Sequence, residues 1–150
     1  MAKNRNWRVV STVELSSPAD QVWQLVGGFF TIHLWHPDIK KTEIGSDQTS
    51  IPELRRILTF PGQPKTTEQL VLLDNDNLHY RYKWHAGAWG EQVQKYHAEL
   101  RVMETVVGKQ CLVKWSSTFF YHEDALTQFY QNGFDALKKK FGTPSGGKKK

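Results

Sequence analysis

The sequence predicts one small α+β domain, in which a curved antiparallel sheet surrounds a long C-terminal helix. Its 150 residues are the usual size of a single domain. Strand-like segments follow one another through the middle of the chain without a long helix between them, which indicates antiparallel pairing. The last long segment repeats apolar residues at helical spacing, so one of its faces must be buried against that sheet.

The first third of the chain predicts one strand and two short helices. Trp7 to Leu15 is rich in β-branched residues and predicts the strand. The first helix is predicted to begin with Ser17 as its cap and Pro18 as its first residue, and to end at Gly27. Phe29 to His36 predicts the second helix, which ends before a proline.

Six further strands are predicted before the last helix. Their segments are separated by turn-forming residues, and they are Ile39–Ile44, Leu54–Phe60, Thr66–Leu73, Leu78–Trp84, Val93–Val106 and Gln110–Phe120. The last helix is predicted from about Asp124 to Phe141. Residues 143–150 form a Lys-containing tail that we expect to be disordered, so the predicted domain covers residues 1–142.

Alternation along the middle strands predicts an aromatic inner face, because successive side chains point to opposite faces of a sheet. The residues assigned to that face in this way are Tyr80, Tyr82, Trp84, Tyr96, Trp115 and Ser117. Small side chains lie among large ones, and tyrosine hydroxyls need partners when they are buried. The interior is therefore either a packed core with hydrated hydroxyls or a pocket for a ligand.

Composition and charge argue against several functional classes. The net charge is +5, and its lysines cluster at the end of the last helix and in the tail. This pattern favours a solvated surface over a nucleic-acid or membrane patch, because no nucleic-acid-binding motif accompanies it. Cys111 is the only cysteine, which excludes an internal disulfide. No segment suits a membrane span or a signal peptide, so we expect a cytoplasmic protein.

The motif content predicts neither a cofactor nor a metal ion. The histidines have no ligand spacing, and the chain carries no phosphate loop, dinucleotide fingerprint or nucleophile elbow. The partner that we expect is a small hydrophobic ligand, bound by a monomer or a weak dimer.

An ordered set of short motifs resembles one known family. The motifs and residues are Ser17-Pro18-Ala19-Asp20-Gln21-Val22-Trp23, Phe29, Trp35-His36-Pro37, Leu54-Arg55-Arg56, Glu68-Gln69-Leu70-Val71-Leu72-Leu73-Asp74, Tyr96, Trp115-Ser116 and Gly133-Phe134-Asp135-Ala136-Leu137. Over about residues 7–141 the chain resembles the polyketide cyclase/dehydrase-like branch of the START (SRPBCC) superfamily, which also includes the birch pollen allergen type and the plant abscisic acid receptors. The resemblance implies a helix-grip fold with a ligand cavity between the sheet and the long helix.

The resemblance also implies positions for ligand-binding residues. Lys40 resembles the lysine that holds a ligand carboxylate in the hormone receptors. Residues that match other pocket-facing positions are Thr66, Glu68, Tyr96, Tyr130 and Phe134. Together with the inner-facing residues above, the predicted ligand-binding set is Lys40, Thr66, Glu68, Tyr80, Tyr82, Trp84, Tyr96, Trp115, Ser117, Tyr130 and Phe134.

The loop Pro61-Gly62-Gln63-Pro64 resembles the gate loop of the receptors, whose pattern is Ser-Gly-Leu-Pro-Ala. Gln63 stands in place of the leucine, and Lys65 stands in place of the alanine. The companion latch, His-Arg-Leu, has no match in His85–Gln92, so hormone-gated phosphatase inhibition is not implied. A mobile lid is still expected, because glycines flank Trp89.

Two residues are candidates for acid–base catalysis. Glu68 in an aromatic cavity would have a raised pKa suited to proton transfer, or it would pair with Lys40, Arg56 or a tyrosine. His36 either anchors its turn, lines the cavity mouth or moves a proton. Three functions therefore stay open: a binding protein for a small hydrophobic molecule; a cyclase, dehydratase or isomerase that uses Glu68 or His36; or, on charge alone, an adaptor that binds a partner through the basic end of the last helix.

Overall fold

The structure is a computed structural model that describes residues 7–45, 54–87, 96–119 and 123–144. Within these ranges, seven strands and two α-helices confirm the predicted α+β class and the long C-terminal helix. The predicted lid around Trp89, residues 93–95 of one predicted strand and residues 145–150 of the predicted tail lie outside the described residues.

The elements follow the predicted order. They are β1 (Trp7–Leu15), α1 (Ala19–Val26), a 3-10 helix (Phe29–Leu34), β2 (Lys41–Ile44), β3 (Arg55–Thr59), β4 (Thr66–Asp74), β5 (His79–Gly87), β6 (His97–Val106), β7 (Gln110–Phe119) and α2 (Glu123–Phe141). The strands pair antiparallel in the order β1-β7-β6-β5-β4-β3-β2. None of the described helices has both the length and the apolar content that a membrane crossing requires.

The start of α1 differs slightly from the sequence prediction. Pro18 occupies the cap position with extended backbone angles, and the helix begins at Ala19. The Ser17 hydroxyl donates to the Gln21 side chain at 3.2 Å instead of capping a backbone N–H group. The segment after α1 is the predicted short helix; it is of the 3-10 type and is kinked at Thr31, which has a non-helical φ of −124°.

The core lies between the inner face of the sheet and α2. Helix α2 buries Tyr130, Phe134 and Leu137 completely, in agreement with the predicted apolar stripe. The Tyr130 ring stacks on Trp115 of β7, with the ring centroids 4.2 Å apart. The long helix is thus held to the sheet by aromatic contacts near the middle of its length.

The two edge strands of the sheet, β1 and β2, are not neighbours in the strand order. Helix α2 packs against β1, and the 3-10 helix packs against β2. Asn132 on α2 donates a side-chain hydrogen bond to Asp38, which follows the 3-10 helix, at 2.8 Å. Helices and side chains therefore span the interval between the two edges.

Candidate functional site

The predicted aromatic residues converge on the inner face of the sheet. Strand alternation brings Tyr80 and Tyr82 from β5 and Trp115 from β7 to this face, and each is at most 1% exposed. Tyr130 and Phe134 approach them from α2 and are also fully buried. The structure therefore brings the central members of the predicted set together between sheet and helix.

Hydrogen bonds link the polar ends of these rings. The Trp115 indole N–H donates to the Tyr82 hydroxyl at 2.8 Å, and the Tyr96 and Tyr130 hydroxyls share a bond of 2.9 Å. A longer contact of 3.5 Å joins the hydroxyls of Tyr82 and Tyr96. Burial raises the pKa of Tyr82, Tyr96 and Tyr130, so all three phenols stay protonated and uncharged near neutral pH.

A buried ion pair lies at the β3–β4 edge of this cluster. Arg56 and Glu68 face each other across the two strands, and their side chains meet at 2.7 Å. The Arg56 Nη1 group donates to the Phe29 carbonyl at 2.9 Å, while its guanidinium lies 4.1 Å from the Phe29 ring centroid. The pairing alternative for Glu68 is thus confirmed, with Arg56 as its partner.

The protonation of Glu68 reflects two opposing effects. Burial raises the pKa of this carboxyl, whereas the Arg56 guanidinium opposes the rise by stabilising the carboxylate. The Arg56 Nε atom donates to the same Oε1 oxygen at 2.8 Å. Glu68 is consequently tied to its neighbouring strand by two charge-assisted contacts.

Both ring nitrogens of His36 are engaged in structural hydrogen bonds. The Asp38 backbone N–H donates to Nδ1 at 3.1 Å, so Nδ1 must accept and Nε2 must carry the proton. Nε2 donates that proton to the Phe129 carbonyl at 2.7 Å. Burial lowers the pKa of His36 to about 4, against the opposing effects of the Phe129 bond and Asp38. The ring is therefore a neutral anchor for α2, and this geometry does not suit the proposed proton transfer.

Gly133 allows this anchor to form. A Cβ atom at this position would lie 2.6 Å from the His36 Cδ2 atom and 3.0 Å from the Trp35 ring. The Phe129 carbonyl is four residues earlier, so Gly133 lies beside it in the next helical turn. The missing side chain thus opens a path for the imidazole to reach the helix backbone.

Several buried polar atoms of the described residues have no hydrogen-bond partner. On the inner face these are the hydroxyls of Thr66, Tyr80 and Ser117. Tyr80 lies beside Arg56 and Ser117 lies beside Tyr130, but neither contact has the geometry of a hydrogen bond. Thr66 is 1% exposed and stands at the start of β4. Such groups ordinarily bind ordered water or the polar atoms of a ligand.

Other predicted residues lie outside the buried cluster. Lys40 is exposed, because the neighbouring Ile39 takes the inward position and is only 3% exposed. The predicted gate loop, Pro61-Gly62-Gln63-Pro64, is exposed throughout and turns at Gly62 with a φ of 70°. Trp84 is half-buried in the C-terminal half of β5. The structure therefore does not place Lys40 where it could hold a buried carboxylate.

Sequence reasoning gave too little weight to Arg56 and Phe29. The signal for Arg56 was present in β3, since it has the same strand parity as Leu58 and Phe60, which are both buried. Phe29 contributes both its ring and its backbone carbonyl to the guanidinium site. The direction of a backbone carbonyl in a 3-10 helix does not depend on the side-chain pattern, so the sequence does not predict this contact.

The described surface also has an open groove of about 720 Å³ at the opposite end of the sheet from the gate-like loop. Its walls come from the start of α1, the β4–β5 turn, the second half of β6 and the β6–β7 turn. None of the predicted ligand-binding residues lines it. In the described part of the chain, no group of three or more His, Cys, Asp or Glu residues is arranged to hold a metal ion.

Comparisons with known proteins give one consistent result. A family model described as polyketide cyclase/dehydrase and lipid transport matches residues 6–142. The solved structure of the protein XoxI from Bacillus cereus has 25% sequence identity and a TM-score of 0.80, with 89% of this chain and 94% of that chain covered. No curated protein has a sequence that matches this chain.

Two further solved structures show the same fold at lower identity. An uncharacterised protein from Bacillus thuringiensis has 24% identity and a TM-score of 0.79, with 90% of this chain and 98% of that chain covered. The ginseng major latex-like protein 151 from Panax ginseng has 14% identity and a TM-score of 0.74, with 91% and 97% covered. The architecture is thus shared across very different sequences.

Proposed function

This chain belongs to the polyketide cyclase/dehydrase and lipid transport family, and from that premise we propose that it binds a small, largely apolar molecule between the inner face of the sheet and α2. One observation carries the proposal. The Thr66 hydroxyl is buried on the inner face and has no hydrogen-bond partner among the described residues. A buried hydroxyl without a partner lowers the free energy of unfolding unless water or a ligand forms a hydrogen bond with it.

The surrounding surface supports an apolar partner. Phe60 follows the last residue of β3, and Glu68 lies on the same face of β4 as Thr66. The tyrosine and tryptophan rings extend this buried surface across the sheet. Burial of apolar ligand area against such rings is worth roughly 25 cal/mol per Å². A few hydroxyls among rings are the arrangement by which small-molecule sites fix orientation while the rings supply affinity.

We place the entrance beside the loop Pro61–Pro64. The loop is exposed throughout, and it leads directly into Thr66 at the start of β4. Its single positive-φ residue, Gly62, has no neighbouring atom within 4 Å of an added Cβ. Movement of this loop would uncover the Thr66 end of the inner face and could leave the stack of Trp115 on Tyr130 in place.

An enzymatic role receives less support from the same geometry. His36 uses both nitrogens in structural bonds, and Glu68 is held by Arg56. If Glu68 nevertheless moved a proton, Glu68→Gln would abolish turnover and preserve affinity for the substrate. A binding protein would show a change in affinity alone.

The first prediction tests the role of Thr66. Thr66→Val replaces the unpartnered hydroxyl with a methyl group, so we expect the ligand-free protein to gain about 1 kcal/mol of unfolding free energy. Affinity for the neutral probe 2-acetylnaphthalene, measured by NMR titration, should fall about fivefold to tenfold, as the loss of one hydrogen bond requires.

Thr31→Val is the matched control for this change. The Thr31 hydroxyl already donates to the Gly28 carbonyl at 3.2 Å, so this variant should lose stability and keep its affinity for the probe. A Thr66→Val protein that is destabilised and binds the probe unchanged would contradict the proposal. Native mass spectrometry of the freshly purified wild-type protein would in addition detect any bound small molecule.

A further inference from the structure

The charges on the inner face of the described chain balance each other. Arg56 and Glu68 are its buried charged side chains there, and they are joined at 2.7 Å. An arginine is charged at any pH at which the protein is folded. The two contacts of Arg56 with Glu68 stabilise the ionised carboxylate, and an ionised pair presents no net charge to a molecule that enters between the sheet and α2.

Arg56 has three of its five N–H donors committed to other groups of the protein. Nε and Nη2 are committed to the Glu68 carboxylate, and Nη1 donates to the Phe29 carbonyl. The guanidinium plane is covered by the Phe29 ring at 4.1 Å and by the Tyr82 ring at 4.8 Å from its central carbon. An anionic ligand that drew the guanidinium away from Glu68 would leave this buried carboxylate without its cation.

No other described cation replaces Arg56 in this role. Lys40 is exposed, and the His36 ring is neutral with both nitrogens occupied. Among the described residues, the buried polar atoms without a partner on the inner face of the sheet are the hydroxyls of Thr66, Tyr80 and Ser117. Hydroxyls donate to and accept from uncharged oxygen groups but cannot neutralise a carboxylate.

We propose that this site selects by charge: it takes uncharged apolar molecules that carry a hydroxyl or carbonyl group, and it rejects carboxylates of the same size and shape. The inference rests on the proposed binding function and specifies the ligand class of that same site. The Arg56–Glu68 pair acts as the filter, because it contributes a rigid polar wall with no net charge.

Two probes of nearly equal shape test the filter. 2-Acetylnaphthalene carries a neutral methyl ketone where 2-naphthoate carries a carboxylate, and both are titrated into the full-length wild-type protein at pH 7 by NMR or calorimetry. We expect the ketone to bind about thirtyfold more tightly or better, because the carboxylate loses its hydration without gaining a cation.

The variant Glu68→Gln tests the cause of the selectivity. Glutamine keeps an oxygen that accepts from Arg56 but removes the negative charge, so the preference for the ketone should fall at least about tenfold as the interior becomes positive. Glu14→Gln makes the same chemical change at an exposed position of β1 and should leave the preference unchanged. The wild-type comparison stands without the variant if Glu68→Gln does not fold.

The outcomes separate this inference from the function on which it rests. Equal or tighter binding of 2-naphthoate by the wild-type protein would overturn the charge filter and leave the binding function intact. A preference that Glu68→Gln and Glu14→Gln change equally would also overturn the role of the ion pair. If neither probe binds and no molecule co-purifies, the proposed function itself fails.

Discussion

At the level of single residues, the contact between His36 and α2 depends on the absence of a side chain. Gly133 leaves room for the imidazole to stack on Phe129 at 4.1 Å and to donate to its carbonyl. Glycine inside a helix costs about 1 kcal/mol relative to alanine. The packing of His36 and Trp35 against this position offsets that cost.

Gly133→Ala should therefore destabilise the protein although alanine is the better helix former. The new methyl group would meet His36 at 2.6 Å, and overpacking of this kind costs about 1–3 kcal/mol. Urea unfolding monitored by circular dichroism would measure the loss. The exposed neighbour Gln131→Ala serves as a control and should change stability by less than about 0.5 kcal/mol. A more stable Gly133→Ala protein would show that the contact is loose.

At the level of elements, the Arg56–Glu68 pair joins three segments of the chain. The two residues link β3 to β4, and the bond from Arg56 to the Phe29 carbonyl adds the 3-10 helix. A buried ion pair contributes little net stability compared with apolar residues, but loss of one partner is costly because the other charge remains buried. The orientation of the 3-10 helix thus depends on a residue from a distant strand.

Arg56→Met should lower the unfolding free energy by about 3–5 kcal/mol, because Glu68 is left buried without a cation. The double variant Arg56→Met/Glu68→Leu should recover much of this loss, and chemical unfolding of both single variants and the double variant completes the cycle. The adjacent Arg55→Met is the matched control. Arg55 is only half-buried and bonds Gln69 at 3.4 Å, so its removal should have a small effect. Additive losses in the cycle would indicate that the two charges do not stabilise each other.

At the level of the whole molecule, stability should depend on pH through His36. Its pKa is lowered from 6.5 to about 4 in the folded protein, so between these values the unfolded chain binds the proton more readily. The contribution of His36 to the free energy of unfolding is therefore fully present above about pH 6.5. It is lost as the pH decreases towards 4 and amounts to about 3 kcal/mol in total. Urea unfolding at pH 7.5, 6 and 5 would measure this slope.

The variant His36→Gln isolates this contribution. It should be less stable than the wild type at pH 7.5 and should lose less stability on acidification. Burial also lowers the pKa of His85 and His97, but both are exposed and act in the wild type and the variant alike. Parallel pH profiles for the two proteins would exclude His36 as the source of the slope.

Much of this molecule follows from its residue pattern. Strand parity predicts the burial of Tyr80, Tyr82 and Trp115, and helical spacing predicts that of Tyr130 and Phe134, because alternation and period act locally. Lys40 was assigned by family register, which does not show that Ile39 takes the inward position. The sequence left three candidate partners for Glu68 and gave none for His36, since strand pairing and helix docking decide which groups meet.

The strand order has a mechanical consequence. The edge strands β1 and β2 do not pair with each other, so the sheet stays open. The gap between its edges is covered by helices and by side-chain contacts such as the bond from Asn132 to Asp38. Widening this gap would break those side-chain contacts but would not require any backbone hydrogen bond between paired strands to break. On the binding function proposed above, a larger ligand would therefore require a few polar contacts to break while the pairing of the strands stays intact.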